Sequence, residues 1–337
     1  MKARSISLLS WSLLLGFGMG VSANQQTQEN DWSTHTRCSK KFNCDTVDIR
    51  TSAKVVATKS LNRMPVDPDA DFPVNILSLT DEEREQYRKL FVKGQAKVFG
   101  EPVGWKLAVG TATPATPALG YTQPAIGQLL SRMIIRGSDV KIRNNYAVLP
   151  IYEVDLVFRV KSSAINHATT YEDIVRNIDG VYPFYELPAG YVPTILDLAG
   201  PLLGGNSLLP MLNGAARLGV LGKRIPVPGK LCTADWVARL SDIAGEELVV
   251  KSGGNVLRVF NNLNFLQFAL TLVQQLNLRG IKVRAGDLLS LGNLTGTNVF
   301  DGTEEEMIAR YDNIDPKGPV TLRLVVDNVD GLCIGKK

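Results

Sequence analysis

The chain has 337 residues, 45% hydrophobic, 21% charged and 7% aromatic, an ordinary globular composition with enough apolar material for a large core. Its formal net charge is +4, and subtracting Lys2 and Arg4, which lie in a stretch assigned below to a removed signal, leaves +2. Such a balance provides no basic footprint for nucleic acid or for an anionic membrane surface, and neither is expected as a partner.

The N-terminus reads MKARSISLLSWSLLLGFGMGVSANQQ: a short basic start, an apolar run through Leu13–Leu15 and a small-residue ending at Val21, Ser22 and Ala23. This pattern predicts a secretory signal, residues 1–23, cleaved after Ala23, and a periplasmic or secreted protein. The run is too interrupted to span a bilayer, and no later segment is long and apolar enough to do so. Residues 24–74 are polar, with little periodicity, and are expected to form an exposed extension. Four cysteines allow three connectivities. In an oxidising compartment the near pair, Cys38 and Cys44, closes a small loop and is the expected bridge, ahead of any involving Cys232 or Cys333.

The folded domain is expected over residues 75–337. Thr80 can cap a helix whose first turn carries Asp81, Glu82 and Glu83 and whose Tyr87, Leu90 and Phe91 recur at helical spacing, with a stop by Gly100 and Pro102. VGWKLAVG (103–110) alternates as a strand and places Lys106 in its middle, either snorkelling to water at an edge or set there as a cation. LPIYEVDLVFRV (149–160) is a second strand, with Tyr152, Val154, Leu156, Phe158 and Val160 on one face. Ile151, Glu153, Asp155, Val157 and Arg159 share the other. Two carboxylates side by side repel, so that face is either wet or holds a cation between them.

A helix from about Tyr171 to Ile178 then leads to a strand ending near Glu186. This third acid could complete a set of hard oxygen ligands for Mg²⁺ or Mn²⁺. A region rich in Gly, Pro and Leu reads as loops around short strands, and its glycines match no phosphate-binding fingerprint. A strong helix with core positions Leu266, Leu270, Val273 and Leu276 ends at Gly280, and the last strands follow a turn at 285–287. Only His35 and His167 are present, and both are expected at the surface, which leaves a Ser-His-Asp triad without support.

Taken in order, GWKL (104–107), EVD (153–155), PFYE (183–186), NGAARLGVLG (213–222) and AGDLLSLGNLTG (285–296) resemble the motifs of the fumarylacetoacetate hydrolase superfamily. More narrowly, they are similar to its 2-oxopent-4-enoate hydratase and 4-oxalocrotonate decarboxylase branch, over roughly residues 75–335. The resemblance implies an α+β fold, mainly a rolled, sandwich-like β-sheet with surrounding helices. It implies that Glu153, Asp155 and Glu186 hold Mg²⁺ or Mn²⁺, that Lys106 is catalytic, and that Asn293, Leu294, Thr295 and Gly296 form the substrate loop. Asp155 stands where the family has Glu, and Asn293 where it has Ser.

The implied activity is that of a lyase, a hydratase or decarboxylase, acting on a small 2-oxo or 2-hydroxydienoic acid through a metal-stabilised enolate. Assembly into a homo-oligomer accompanies that implication. The alternatives are a non-catalytic binding protein that keeps the fold, and a C–C hydrolase of an acylpyruvate.

Overall fold

Two helices open the described part of the chain. A computed structural model describes residues 49–67, 70–72, 79–109, 124–191, 208–228 and 231–328, all within a unit spanning Thr46–Lys337. The expected signal and the Cys38–Cys44 bridge lie outside the described residues, as does Cys333, and Cys232 is an exposed free thiol. Helix α1 (Ile49–Leu61) falls where the sequence pointed to a polar extension. Its buried face is Ser52, Ala53, Val56, Ala57 and Ser60, residues so small and weakly apolar that their helical spacing carries little hydrophobic signal. They permit close packing on α2 (Asp81–Phe99), where a β-carbon at Gly94 would lie 2.7 Å from the Ala57 β-carbon.

Helix α2 begins as expected. The Thr80 hydroxyl accepts from Glu83 N at 3.2 Å and the Glu83 carboxylate accepts from Thr80 N at 2.8 Å, a reciprocal cap beside an acidic first turn. The helix buries Tyr87 and Phe91 and ends at Gly100, whose φ of +80° a side chain would strain.

The chain then runs through β1 (Pro102–Val109), β2 (Ala125–Leu130), β3 (Ile134–Arg136), β4 (Asp139–Arg143) and β5 (Leu149–Val160). Helix α3 (Tyr171–Arg176) precedes β6 (Ile178–Leu187), β7 (Ala189–Gly190), β8 (Leu218–Leu221) and β9 (Ile225–Pro226). After α4 (Thr233–Leu240) come β10 (Ile243–Lys251), β11 (Val256–Leu263), α5 (Phe265–Leu278) and β12 (Leu288–Ser290), then β13 (Asn298–Val299), β14 (Glu304–Tyr311) and β15 (Val320–Asp327).

These strands form two mixed sheets, the α+β architecture expected. The larger runs β2-β1-β12-β5-β6-β8-β3, with β13 and β7 also pairing β5 and β9 pairing β6; the smaller runs β11-β10-β14-β15-β4. The even-numbered residues of β5, Tyr152 to Val160, enter the main core together with Leu266, Leu270, Val273 and Leu276 of α5 and with Met307, Ala309 and Tyr311 of β14. Among the described residues, no helix is long and apolar enough to cross a membrane.

Register decides what the opposite face carries. Glu153 pairs with Glu186 and Asp155 with Phe184 across β5–β6, Val157 pairs with Ser290 of β12, and Ser290 pairs with Lys106 of β1. Because directly paired residues share a face, these pairings bring Lys106, Ser290 and the three acids to one side of the larger sheet.

Candidate active site

The face bearing the acids is not wet. Lys106 is 2%, Asp155 0% and Glu186 3% exposed, and Glu153 is partly buried at its margin. Phe184, Val157, Leu288, Leu129, Tyr182 and Leu221 form an apolar cluster on the same side. Solvent therefore does not separate these charges, and their own contacts must balance them.

Lys106 Nζ donates to Glu186 Oε1, an ion pair withdrawn from water. Asp155 Oδ2 accepts from Ser290 Oγ at 2.5 Å, while Oδ1 accepts from Gly292 N at 2.9 Å and from Leu156 N at 2.6 Å. Glu153 Oε1 accepts from Thr297 Oγ1 at 2.6 Å. Three carboxylates against one ammonium leave two negative charges uncompensated when all are ionised. Burial first, then the Glu186 charge, pushes the Glu153 carboxyl up to about 7, against the pull of Lys106 and Thr297. The same two causes raise Asp155 well above the usual carboxylate range.

The Lys106 stem is set by its neighbours. A β-carbon at Gly127 would lie 2.9 Å from Lys106 Cγ and 2.3 Å from the Asn213 carbonyl oxygen, so only glycine admits both there. Asn213, Gly214 and Ala215 are successively left-handed, at φ +58°, +59° and +59°. The turn is held by the buried Asn213 amide, whose Oδ1 accepts from Gln128 N at 2.5 Å and whose Nδ2 donates to Gln128 O at 2.9 Å. This is the NGAARLGVLG segment, and it presses on β1–β2 beside the lysine.

The loop after β12 is pinned to β5 from both sides. Leu294 N donates to Val154 O at 2.7 Å, Asn293 Oδ1 accepts from Thr295 N at 3.0 Å, and Asn293 Nδ2 reaches Thr297 Oγ1 at 3.4 Å. Asn293 thereby orients the threonine that holds Glu153. The Thr295 hydroxyl instead lies against Glu247 of β10, and Gly296 is exposed with φ +82°. Sequence reasoning passed over Ser290, Gly292 N and Thr297. The only signal for them is their spacing within AGDLLSLGNLTGT, which becomes readable once β12 is placed between β1 and β5. His167 is exposed, as expected, at the end of a 3₁₀ segment, Ser163–His167, that is anchored by the buried Ile165.

The donor set suits a hard dication. Three carboxylates present oxygen ligands, Asp155 Oδ1 spends both lone pairs on Gly292 N and Leu156 N while the singly bonded oxygens keep a second one, and the two uncompensated charges equal those of Mg²⁺ or Mn²⁺. Among the described residues, however, no three His, Cys, Asp or Glu side chains are gathered at metal-holding distance. Lys106 stands on Glu186, and Asp155 is turned toward Ser290 and Gly292.

No family model and no curated protein matches the sequence. Among solved structures, the chain is similar to 4-oxalocrotonate decarboxylase from Pseudomonas putida G7 complexed with magnesium and adipate, at TM-score 0.63 and 14% identity, covering 86% of this chain and 100% of that one. The same enzyme complexed with calcium and acetate aligns at TM-score 0.60 and 15% identity, over 86% and 100% of the two chains. The chain therefore has the fold of 4-oxalocrotonate decarboxylase, the mixed α+β architecture that its motif order implied.

Proposed function

We propose that the chain is a divalent-metal-dependent lyase, a hydratase or decarboxylase, acting on a small 2-oxo acid. The observation that carries this reading is the gathering of Lys106, Glu153, Asp155 and Glu186 on one buried face with an excess of two negative charges. The magnesium and calcium complexes of the decarboxylase that shares the fold support it.

Glu153, Asp155 and Glu186 would hold Mg²⁺ or Mn²⁺, which supplies Lewis-acid stabilisation of the negative charge that builds on the 2-oxo oxygen. Lys106 binds the substrate carboxylate or carries the proton to and from the reacting carbon. Ser290 and Gly292 N fix Asp155, and Thr297, oriented by Asn293, fixes Glu153. Phe184, Val157 and Leu288 keep bulk water from the acids, which strengthens every electrostatic contact there.

The test uses the chain lacking residues 1–23. Mn²⁺ binding is measured by calorimetry, and the absorbance of 2-hydroxypenta-2,4-dienoate is followed with Mg²⁺ or Mn²⁺, beside Glu153→Ala. Wild-type binding and turnover, both lost in the variant, are the expected result; absence of both in the wild type refutes the enzyme reading. The second reading, a binding protein without turnover, draws on the Lys106–Glu186 pair standing where a metal ligand is needed. It predicts that a 2-oxo acid binds equally well with and without metal. Export with cleavage after Ala23 and homo-oligomer assembly complete the proposal, to be tested by N-terminal sequencing of the exported chain and by sedimentation.

A further inference from the structure

Behind the acid-bearing strands, where the larger sheet meets the smaller, lies a second buried charge. Glu247 of β10 is 0% exposed and its Oε2 accepts from Arg258 Nη1 of β11 at 2.9 Å. The Tyr185 and Thr295 hydroxyls are buried beside the same carboxylate without a hydrogen bond to it, and the Arg258 guanidinium carbon stands 5.8 Å from the centre of the Tyr152 ring.

Those contacts coincide with the acids on the other face. Tyr152 directly precedes Glu153, and Tyr185 directly precedes Glu186. Alternation along a strand sends each tyrosine to the face opposite its acid. The third acid is anchored from the same side, because Tyr311 of β14 donates to the Asp155 carbonyl at 2.6 Å and accepts from Phe184 N at 3.3 Å. Thr295 adds the loop whose Thr297 holds Glu153.

We infer that Glu247 is a positioning residue for the acid face. It sets the segments that carry the three acids by holding Arg258 over Tyr152 and by placing its charge beside Tyr185 and Thr295. A buried ion pair is a poor route to stability, since apolar residues of similar volume commonly do as well. What the pair adds here is direction: one carboxylate takes the Arg258 donor from β11 and stands beside the buried hydroxyls of Tyr185 on β6 and Thr295 on the substrate loop. The inference rests on the metal site proposed above, whose ligands need fixed orientations from outer partners.

The test is Glu247→Gln in the full chain, which keeps the volume and removes the charge. In the metal-free protein, hydrogen exchange at Gly292 N and Leu294 N, the amides bonded to Asp155 and Val154, is expected to accelerate roughly tenfold relative to amides of α5. Mn²⁺ affinity measured by calorimetry is expected to fall by about ten- to a hundredfold. Arg258→Lys, which retains the opposite charge without the fork, should show the same local pattern more weakly, and it takes over as the test variant should Glu247→Gln not fold. Exchange that rises uniformly over the chain, or loop exchange unchanged with Mn²⁺ affinity within about twofold of wild type, overturns the assignment. Failure of the wild type to bind Mn²⁺ sinks the metal site instead, and the exchange comparison then decides the role of Glu247 by itself.

Discussion

In the metal-free protein the carboxylate face should make stability fall as pH rises, and Glu153 allows the size to be worked out. Its carboxyl moves from an ordinary 4.5 to about 7 on folding, because burial and the Glu186 charge disfavour its ionised form. Between those values the native chain binds more protons at this site than the unfolded chain. The contribution to stability is therefore complete below pH 4.5, is lost progressively as pH rises to about 7, and is flat above. At 1.36 kcal/mol for each pH unit between the two values, the loss amounts to about 3 kcal/mol, an upper bound because the side chain is not fully withdrawn from water. The assay is urea unfolding in a chelating buffer from pH 5 to pH 8, for the wild type and for Glu153→Gln. The difference between the two cancels titrations elsewhere in the chain. The wild type should lose ground to the variant as pH rises through this window. A difference that is independent of pH, or one that favours the wild type at pH 8, refutes the reasoning. Saturating Mn²⁺ should reverse the trend for the wild type, since the ion binds the ionised carboxylates.

Three further outcomes are expected. Lys106→Met leaves Glu186 buried without its partner, so the metal-free chain should lose about 3–5 kcal/mol in urea unfolding and all turnover of a dienoate substrate. Ser290→Ala removes the donor to Asp155 Oδ2 and should cost about 1–3 kcal/mol, measured in the same way, together with weaker Mn²⁺ binding by calorimetry. Gly127→Ala forces a β-carbon against the Asn213 carbonyl and the Lys106 stem. It should lower kcat by about a hundredfold while Mn²⁺ affinity stays near wild type, because the lysine moves and the carboxylates do not.

Several elements were legible because short-range physics specifies them. The capping pair Thr80 and Glu83 with the acidic turn between them marked α2 to the residue, and the alternation of LPIYEVDLVFRV marked β5 over its full length. The core stripe of α5, Leu266 to Leu276, followed from helical period alone. Helix α1 was missed because Ser52, Ala53 and Ala57 bury well against Gly94 yet have little apolar character, so the packing that stabilises it belongs to α2 as much as to itself.

The candidate site divides along the same line. Residue types and their order determined that Glu153 and Asp155 share one face of a strand, since a period of two leaves no alternative, and singled out Glu186 and Lys106 as chemically matched companions. Whether that face was wet could not be read from β5, because burial depends on what lies across the sheet. Tertiary pairing decided it: β12 enters between β1 and β5, bringing Ser290 and Gly292 N to Asp155 and Lys106 to Glu186. The same pairing turned Thr295 toward Glu247 and assigned Thr297 to Glu153, a division of labour between two threonines of one loop. The bonds of Ser290, Gly292 and Thr297 to the acids join residues more than 130 positions apart, and that of Lys106 to Glu186 spans 80, so only the folded sheets bring these partners together.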